Sequence, residues 1–241
     1  MFDYAIVLNG QVADWQPLQL YLNKSRSLVA VDGGLNHLVR LGQKPRILLG
    51  DLDSASPASL DQAESWQLDK LRYSPEKDYT DSELAIRWCL NDYKIRQGES
   101  LEYTGKAKIC LLAAFGNRYD HLLSNQFLCA RFSKEADFLL SDGQRHQLIL
   151  GNNSSAIREL DLTNLFQFIS RPEKYVFSLL AMSDIVKRLT VKNAYYTLSD
   201  YDLKRGESLG VSNVFAHNHK GGGARISFAV GCLSVFLIPE E

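Results

Sequence analysis

Over the first 150 positions, apolar residues fall in short unbroken runs, each separated from the next by a stretch of helical periodicity. Tyr4–Leu8, Ser27–Val31, Ile47–Leu49, Lys70–Tyr73, Ile109–Ala113 and Phe138–Leu140 have the length and continuity of strands buried on both faces. The intervening helices carry start and stop marks. Leu35, Leu38 and Val39 share one face, closed by Gly42 and then Pro45. Ser56-Pro57 reads as a cap followed by the first helical residue. Thr80-Asp81-Ser82-Glu83 reads as a capping box, with Leu84, Ala85, Trp88 and Cys89 on the face that follows. A last helix carries Leu123, Phe127 and Ala130. This alternation predicts an open parallel sheet with helices on both sides.

Past the polar stretch Gly151-Asn152-Asn153-Ser154-Ser155, which reads as a linker or turn, helical periodicity fades. Leu165–Ile169, Tyr175–Ala181, Asp184–Val191, Ala194–Leu198, Val214–His217, Arg225–Ala229 and Leu233–Ile238 predict strands at short spacing. Turn signals at Lys192-Asn193, Gly221-Gly222-Gly223 and Val230-Gly231 separate several of them. The expected fold class is α/β + all-β. An N-terminal open, mostly parallel α/β sheet domain covers 1–150, and a small C-terminal β-sandwich-like domain covers 151–241.

Composition changes this picture little but excludes much. A chain of 241 residues, 45% hydrophobic, buries enough surface to fold without disulfide or metal staples. Lys+Arg (27) and Asp+Glu (28) nearly cancel, and both halves stay balanced, which argues against a nucleic-acid partner. Four cysteines show no metal-type spacing, and three of them sit inside apolar patterns where a buried reduced thiol is expected. No apolar run is long enough to span a bilayer, and the first residues run straight into a strand without a basic leader. A soluble, cytoplasmic protein with no membrane partner is expected.

The acids are the informative residues. Asp32 ends the second strand in Asp32-Gly33-Gly34, and Asp51 and Asp53 end the third in Gly50-Asp51-Leu52-Asp53-Ser54. Asp78 and Asp81 follow the fourth strand, beside Lys77, and Asp120 follows the fifth in Gly116-Asn117-Arg118-Tyr119-Asp120-His121. In an open α/β sheet all these loops leave at the carboxyl edge, where ligands bind. Each piece alone has a plainer explanation: Asp32-Gly33-Gly34 as a tight turn, Asp81 as a helix-dipole partner, Arg118 and Asp120 as a surface ion pair. Together they put acids at four successive strand ends, where a cation would relieve their repulsion. Oxygen-only donors point to Mg²⁺, or Mn²⁺, rather than zinc, and hence to metal-assisted chemistry on a nucleotide.

The absent motifs narrow the chemistry. The chain has no P-loop, no dinucleotide fingerprint after Leu8-Asn9-Gly10, and no nucleophile elbow. The motifs present occur in a telling order: Asp32-Gly33-Gly34, Gly50-Asp51-x-Asp53-Ser54, Lys77-Asp78-x-Thr80-Asp81-x-Glu83-x-Ala85, Gly116-x-Arg118-x-Asp120-His121-x-Leu123-x-Asn125, and Gly210-x-Ser212-Asn213. This ordered set resembles the thiamine pyrophosphokinase family over nearly the whole chain.

The resemblance implies transfer of the pyrophosphoryl group of ATP to the hydroxyl of thiamine, giving thiamine diphosphate and AMP, in a homodimer with active sites at the subunit interface. It implies a metal held by Asp51, Asp53 and Asp81. It places Asp32, Gly33, Gly34, Lys77, Arg118 and Asp120 around the nucleotide, and Ser212 and Asn213 around thiamine. Lys77, Asp78 and Asp81 are the candidate catalytic groups, with Asp78 or Asp81 as proton acceptor. One departure stands out: the family commonly has Gly-Gly-Arg where this chain has Gly116-Asn117-Arg118. Two other readings use the same residues. A glycosyltransferase could use Asp51-x-Asp53 to grip a nucleotide sugar, but it leaves the 77–85 and 212–213 motifs unexplained. A non-catalytic thiamine or nucleotide sensor would have no need of a metal cluster.

Overall fold

The computed structural model describes residues 1–73, 78–99, 105–169, 171–216 and 223–240. Lys77, His217 and the first two glycines of 221–223 lie outside the described residues. The chain divides into two compact units, Met1–Leu128 with Phe138–Gly143, and Cys129–Asp137 with Gln144–Glu241.

In the first unit every apolar run became a strand: β1 (Phe2–Val7), β2 (Ser25–Val31), β3 (Ile47–Gly50), β4 (Asp69–Arg72), β5 (Ala107–Leu112) and β6 (Ala136–Ser141). Their order in the sheet is β6-β5-β1-β2-β3-β4. β1 runs parallel to β2 and β5, β2 to β3, and β3 to β4. Tyr4, Ala5, Ile6 and Val7 are fully buried in succession, so the central strand has no solvent face and needs no polar alternation. The chain moves outward from β1 through β2, β3 and β4, then returns to the other side of β1 for β5. Strand order therefore reverses between β1 and β5, the place in such sheets where diverging loops open a crevice.

The helices are α1 (Trp15–Asn23), α2 (Gly34–Arg40), α3 (Pro57–Ser65), α4 (Asp81–Glu99) and α5 (Tyr119–Arg131). Asp14 caps α1 by accepting from Gln16 N, and Ser56 caps α3 by accepting from Ser59 N. At α4, Glu83 N donates to Thr80 Oγ1 as the box predicts, while the Glu83 carboxylate takes the Arg87 guanidinium one turn on. On α5, Leu123 and Phe127 stand 50% and 58% exposed, and the helix buries Asn125, Leu128 and Cys129 instead. All four cysteines are buried free thiols, and burial pushes Cys110 up to about 12.

The second unit is β-rich, and its strands depart from the sequence pattern in informative ways. β7 (His146–Asp161) continues past the polar stretch at 151–155 with a break in register: 146–153 and 158–161 pair with β12 (Arg225–Pro239), while between them the Asn152 side chain accepts from Ser154 N and donates to Ala156 O. Arg158 spans that break, reaching Gly151 O and the Asp137 carboxylate. The predicted turn at Val230-Gly231 is a bulge inside one strand. There β12 changes partner, from β9 (Ile185–Lys192) to β8 (Tyr175–Ala181), with Gly231 at φ 124.

Leu165–Ile169 is not a strand. Its first residues belong to a short helix, α6 (Thr163–Phe166), preceded by a turn in which the Asp161 carboxylate accepts from Thr163 N. Leu165, Phe168 and Ile169 are buried at helical spacing. Within Ala194–Leu198, Ala194 bridges to Phe215 and Tyr195 N donates to Val214 O, but Tyr196 N and O bond to the Asn213 side chain and end the pairing; the strand β10 starts at Leu198 and runs to Lys204. β11 (Asn213–Val214) pairs with β8, and β10 with β9. Among the described residues, no helix is long and apolar enough to cross a membrane.

Candidate functional site

The site begins at the carboxyl ends of β2 and β3. Asp32 turns the chain with φ 46, its N–H donating to Leu49 O at 2.9 Å and its Oδ1 accepting from Leu52 N at 3.1 Å. The acid that ends β2 thus organises the loop after β3. Gly50 makes this approach possible: a Cβ there would lie 1.7 Å from Asp32 Oδ1, and its φ of 131 suits only glycine. Gly33 N donates to Ser54 Oγ at 2.9 Å, tying the two turns again, and Gly34 opens α2. Asp51 is half-buried and Asp53 exposed, with Asp53 N donating to Asp51 Oδ1 at 3.3 Å.

Opposite runs the pair of loops after β1 and β5, which the reversal in strand order sets side by side. Gly10 N donates to Ala113 O at 3.0 Å and Gln11 N to Phe115 O at 2.9 Å, extending the ladder beyond the strands. From below, the His37 ring contacts Gly10 O through Nε2 at 3.0 Å, and burial lowers its pKa. The β5 loop continues to Arg118, whose Nε and Nη2 fork onto Asp120 at 3.0 and 2.7 Å. This bidentate bond holds the Asp120 carboxyl well below the usual carboxylate range. Asn125, buried on α5, faces the same space.

These loops enclose a cavity of about 850 Å³, within the range that takes a nucleotide-sized ligand. Asp32, Asp51, Asp53, Asp78, Asp81 and Arg118 all line it. Asp81 is the first residue of α4, where the helix dipole favours an anion. Asp120 lies beside the cavity on Arg118 rather than in its wall, Gly33 and Gly34 shape the turn beneath it, and Lys77 lies outside the described residues. The sequence had passed over Asn9, Gly10 and Gln11, which also line the cavity. Their one signal was position, since they end a strand at the same sheet edge as the acids.

Among the described residues, no three His, Cys, Asp or Glu side chains converge closely enough to hold an ion by themselves. The donor chemistry still fits magnesium, which takes one or two protein carboxylates and leaves the remaining positions to water and substrate phosphate. Asp51 and Asp53 on one loop and Asp81 on another all line the cavity, so two of the three would meet that number.

In the second unit, Ser212 sits at φ 59 with its N–H donating to Ser178 Oγ at 3.0 Å. Asn213 is buried and its amide is spent on backbone: Oδ1 accepts from Tyr196 N (3.1 Å) and Val214 N (2.9 Å), and Nδ2 donates to Tyr196 O (2.7 Å). It thereby fixes Tyr195 and Tyr196, whose rings meet edge to face at 4.9 Å and stand 66% and 61% exposed. Tyr201, by contrast, is tied to Glu207, and Phe215 packs against Phe166 and Phe177.

Residues 18–139 match the family model "Thiamin pyrophosphokinase, catalytic domain", and 165–233 match "Thiamin pyrophosphokinase, vitamin B1 binding domain". A thiamine pyrophosphokinase of Bacillus subtilis is 25% identical over 214 residues, 88% of this chain and 87% of that protein. Thiamin pyrophosphokinase 1 of Caenorhabditis elegans is 28% identical over 113 residues, 46% of this chain and 42% of the nematode protein. Two solved structures share the fold. The Bacillus subtilis thiamine pyrophosphokinase has a TM-score of 0.76 at 23% identity, covering 99% of each chain. The Candida albicans thiamin pyrophosphokinase has 0.74 at 16%, covering 98% of this chain and 89% of that one. With both of its units matched in order, the chain belongs to the thiamine pyrophosphokinase family, enzymes that form thiamine diphosphate from thiamine.

Proposed function

We propose that the protein transfers the pyrophosphoryl group of ATP to the hydroxyl of thiamine and releases AMP. The observation that carries this reading is the gathering of five aspartates, from three loops, in one cavity at the reversal of strand order. A nucleotide's phosphates are the ligand such a cavity accommodates once a cation offsets the acids. A nucleotide sugar would suit Asp51 and Asp53 alone, but the match of residues 165–233 to a vitamin B1 binding domain favours thiamine.

In this reading Asp51, Asp53 and Asp81 would share Mg²⁺ with water and substrate phosphate, and the bound ion would supply neutralisation of phosphate charge. Arg118, kept in a fixed orientation by Asp120, and Lys77 bind phosphate oxygens, while Asp32 keeps the Asp51–Asp53 loop in place. The thiamine hydroxyl oxygen bonds to the β-phosphorus as the bond from that phosphorus to the α–β bridging oxygen breaks. AMP leaves with that oxygen, and Asp78 accepts the hydroxyl proton. Loose transfers of this kind depend mainly on position and charge, which matches a site built from carboxylates and one anchored guanidinium. Ser212 and Asn213 serve thiamine through the loop they shape, and a ring of the Tyr195–Tyr196 pair suits a cationic aromatic substrate.

A homodimer is part of this reading. It draws support from the exposed apolar residues Tyr119, Leu123 and Phe127 on α5 and from Leu209 and Val211 in the second unit. Four free thiols support the cytoplasm as its compartment. The test is chromatography of the products from ATP, Mg²⁺ and thiamine. AMP and thiamine diphosphate in equal amounts, abolished by EDTA, are expected. ADP with thiamine monophosphate would overturn the reaction, and thiamine binding without product would favour a sensor.

A further inference from the structure

At the cavity mouth, Gln11 Nε2 donates to Asn117 Oδ1 at 3.2 Å, joining the β1 loop to the β5 loop. Asn117 stands where the family commonly has glycine, and its backbone does not need one, because its φ is not among the positive values. Its side chain is therefore free to be put to use. The bond completes a series: Gly10 N to Ala113 O, Gln11 N to Phe115 O, then Gln11 to Asn117 by side chains. The loops run close enough that a Cβ on Gly10 would lie 2.1 Å from Ala113 O. Arg118 comes next in the chain, and its guanidinium is forked onto Asp120 at the start of α5. It is thus fixed from both sides, through Asn117 to the β1 loop and through Asp120 to the helix.

We infer that the Gln11–Asn117 pair is a positioning device for the nucleotide, holding the Arg118 loop in its phosphate-binding place before ATP arrives. It replaces the close approach of a glycine with a side-chain bridge. A loop ordered in advance loses less entropy on binding, so the pair tightens nucleotide affinity more than it speeds the chemical step. The inference rests on the proposal that this cavity takes ATP.

The test is calorimetric binding of a non-hydrolysable ATP analogue with Mg²⁺ to the wild type, Gln11→Ala, Asn117→Ala and the double variant, with kcat and KM for ATP measured alongside. One exposed amide hydrogen bond accounts for roughly a twofold to tenfold effect. Each single variant is expected to weaken binding by about that factor and to raise KM more than it lowers kcat. The double variant should be no weaker than the worse single, since one bridge is lost either way. Independent, multiplying losses, or unchanged affinity in both singles, would overturn the bridge while leaving the nucleotide site intact. A wild type that does not bind the analogue would overturn the bridge and the ATP reading together. A wild type that binds it but releases no AMP would overturn only the transfer reaction, with the binding comparison still deciding the bridge.

Discussion

Asp51→Asn and Asp53→Asn should each lower turnover at least about 100-fold while leaving the fold unchanged. Both side chains line the cavity and carry little structural duty: Asp53 is exposed, and Asp51 Oδ1 accepts from the N–H two residues on. Asparagine keeps the shape and that bond but removes the charge that grips a cation and offsets its interaction with phosphate. Where a group stabilises developing charge in a transition state, its removal costs several kcal/mol in the barrier, and each 1.36 kcal/mol is tenfold in rate. Steady-state kinetics with a thermal melt beside it checks the prediction. Near-normal rates in both variants would remove these residues from the metal site.

Gly50→Ala is expected to damage stability and activity together. The methyl would meet Asp32 Oδ1 at 1.7 Å and Asp32 Cγ at 2.4 Å, and alanine disfavours the backbone φ of 131. Strained backbone of this kind and a displaced carboxylate together cost about 2–4 kcal/mol, and hence a fall in Tm of about 5–15 °C for a chain this long. Because Asp32 Oδ1 holds Leu52 N, between Asp51 and Asp53, turnover should fall as well. Gly42→Ala is the control: that residue also has positive φ, 63, but a Cβ there meets nothing within 4 Å. It should lose only about 1 kcal/mol and keep full activity. Equal losses in the two variants would show that the Asp32 contact is not what matters.

The parallel sheet was legible because strands buried on both faces must be continuously apolar, and Tyr4 to Val7 could be nothing else. The acids were legible because strand ends in such a sheet share one edge wherever each strand sits. Asn9, Gly10 and Gln11 were not, since their place beside the Arg118 loop depends on β5 lying next to β1, a long-range pairing with no local mark. In the second unit the local signals misled. Residues 151–155 read as a linker or turn, and they do hold a local irregularity, but the backbone pairing of 151–153 and 158–161 with β12 carries one strand across it. Leu165–Ile169 has strand-favouring residues, but Leu165 and Phe166 close a short helix and the turns that follow bury Phe168 and Ile169. Leu123 and Phe127 lie on the last helix as expected and face outward. The bracing of Tyr196 by the Asn213 amide carried no mark in the sequence, since it depends on β11 lying beside that loop.

Which phosphorus is attacked is the most direct test of the proposed reaction. ATP labelled at the β-phosphorus, incubated with thiamine, Mg²⁺ and the protein, is expected to pass its label into thiamine diphosphate and leave unlabelled AMP. Label retained in the nucleotide as ADP, with thiamine carrying a single unlabelled phosphate, would contradict pyrophosphoryl transfer.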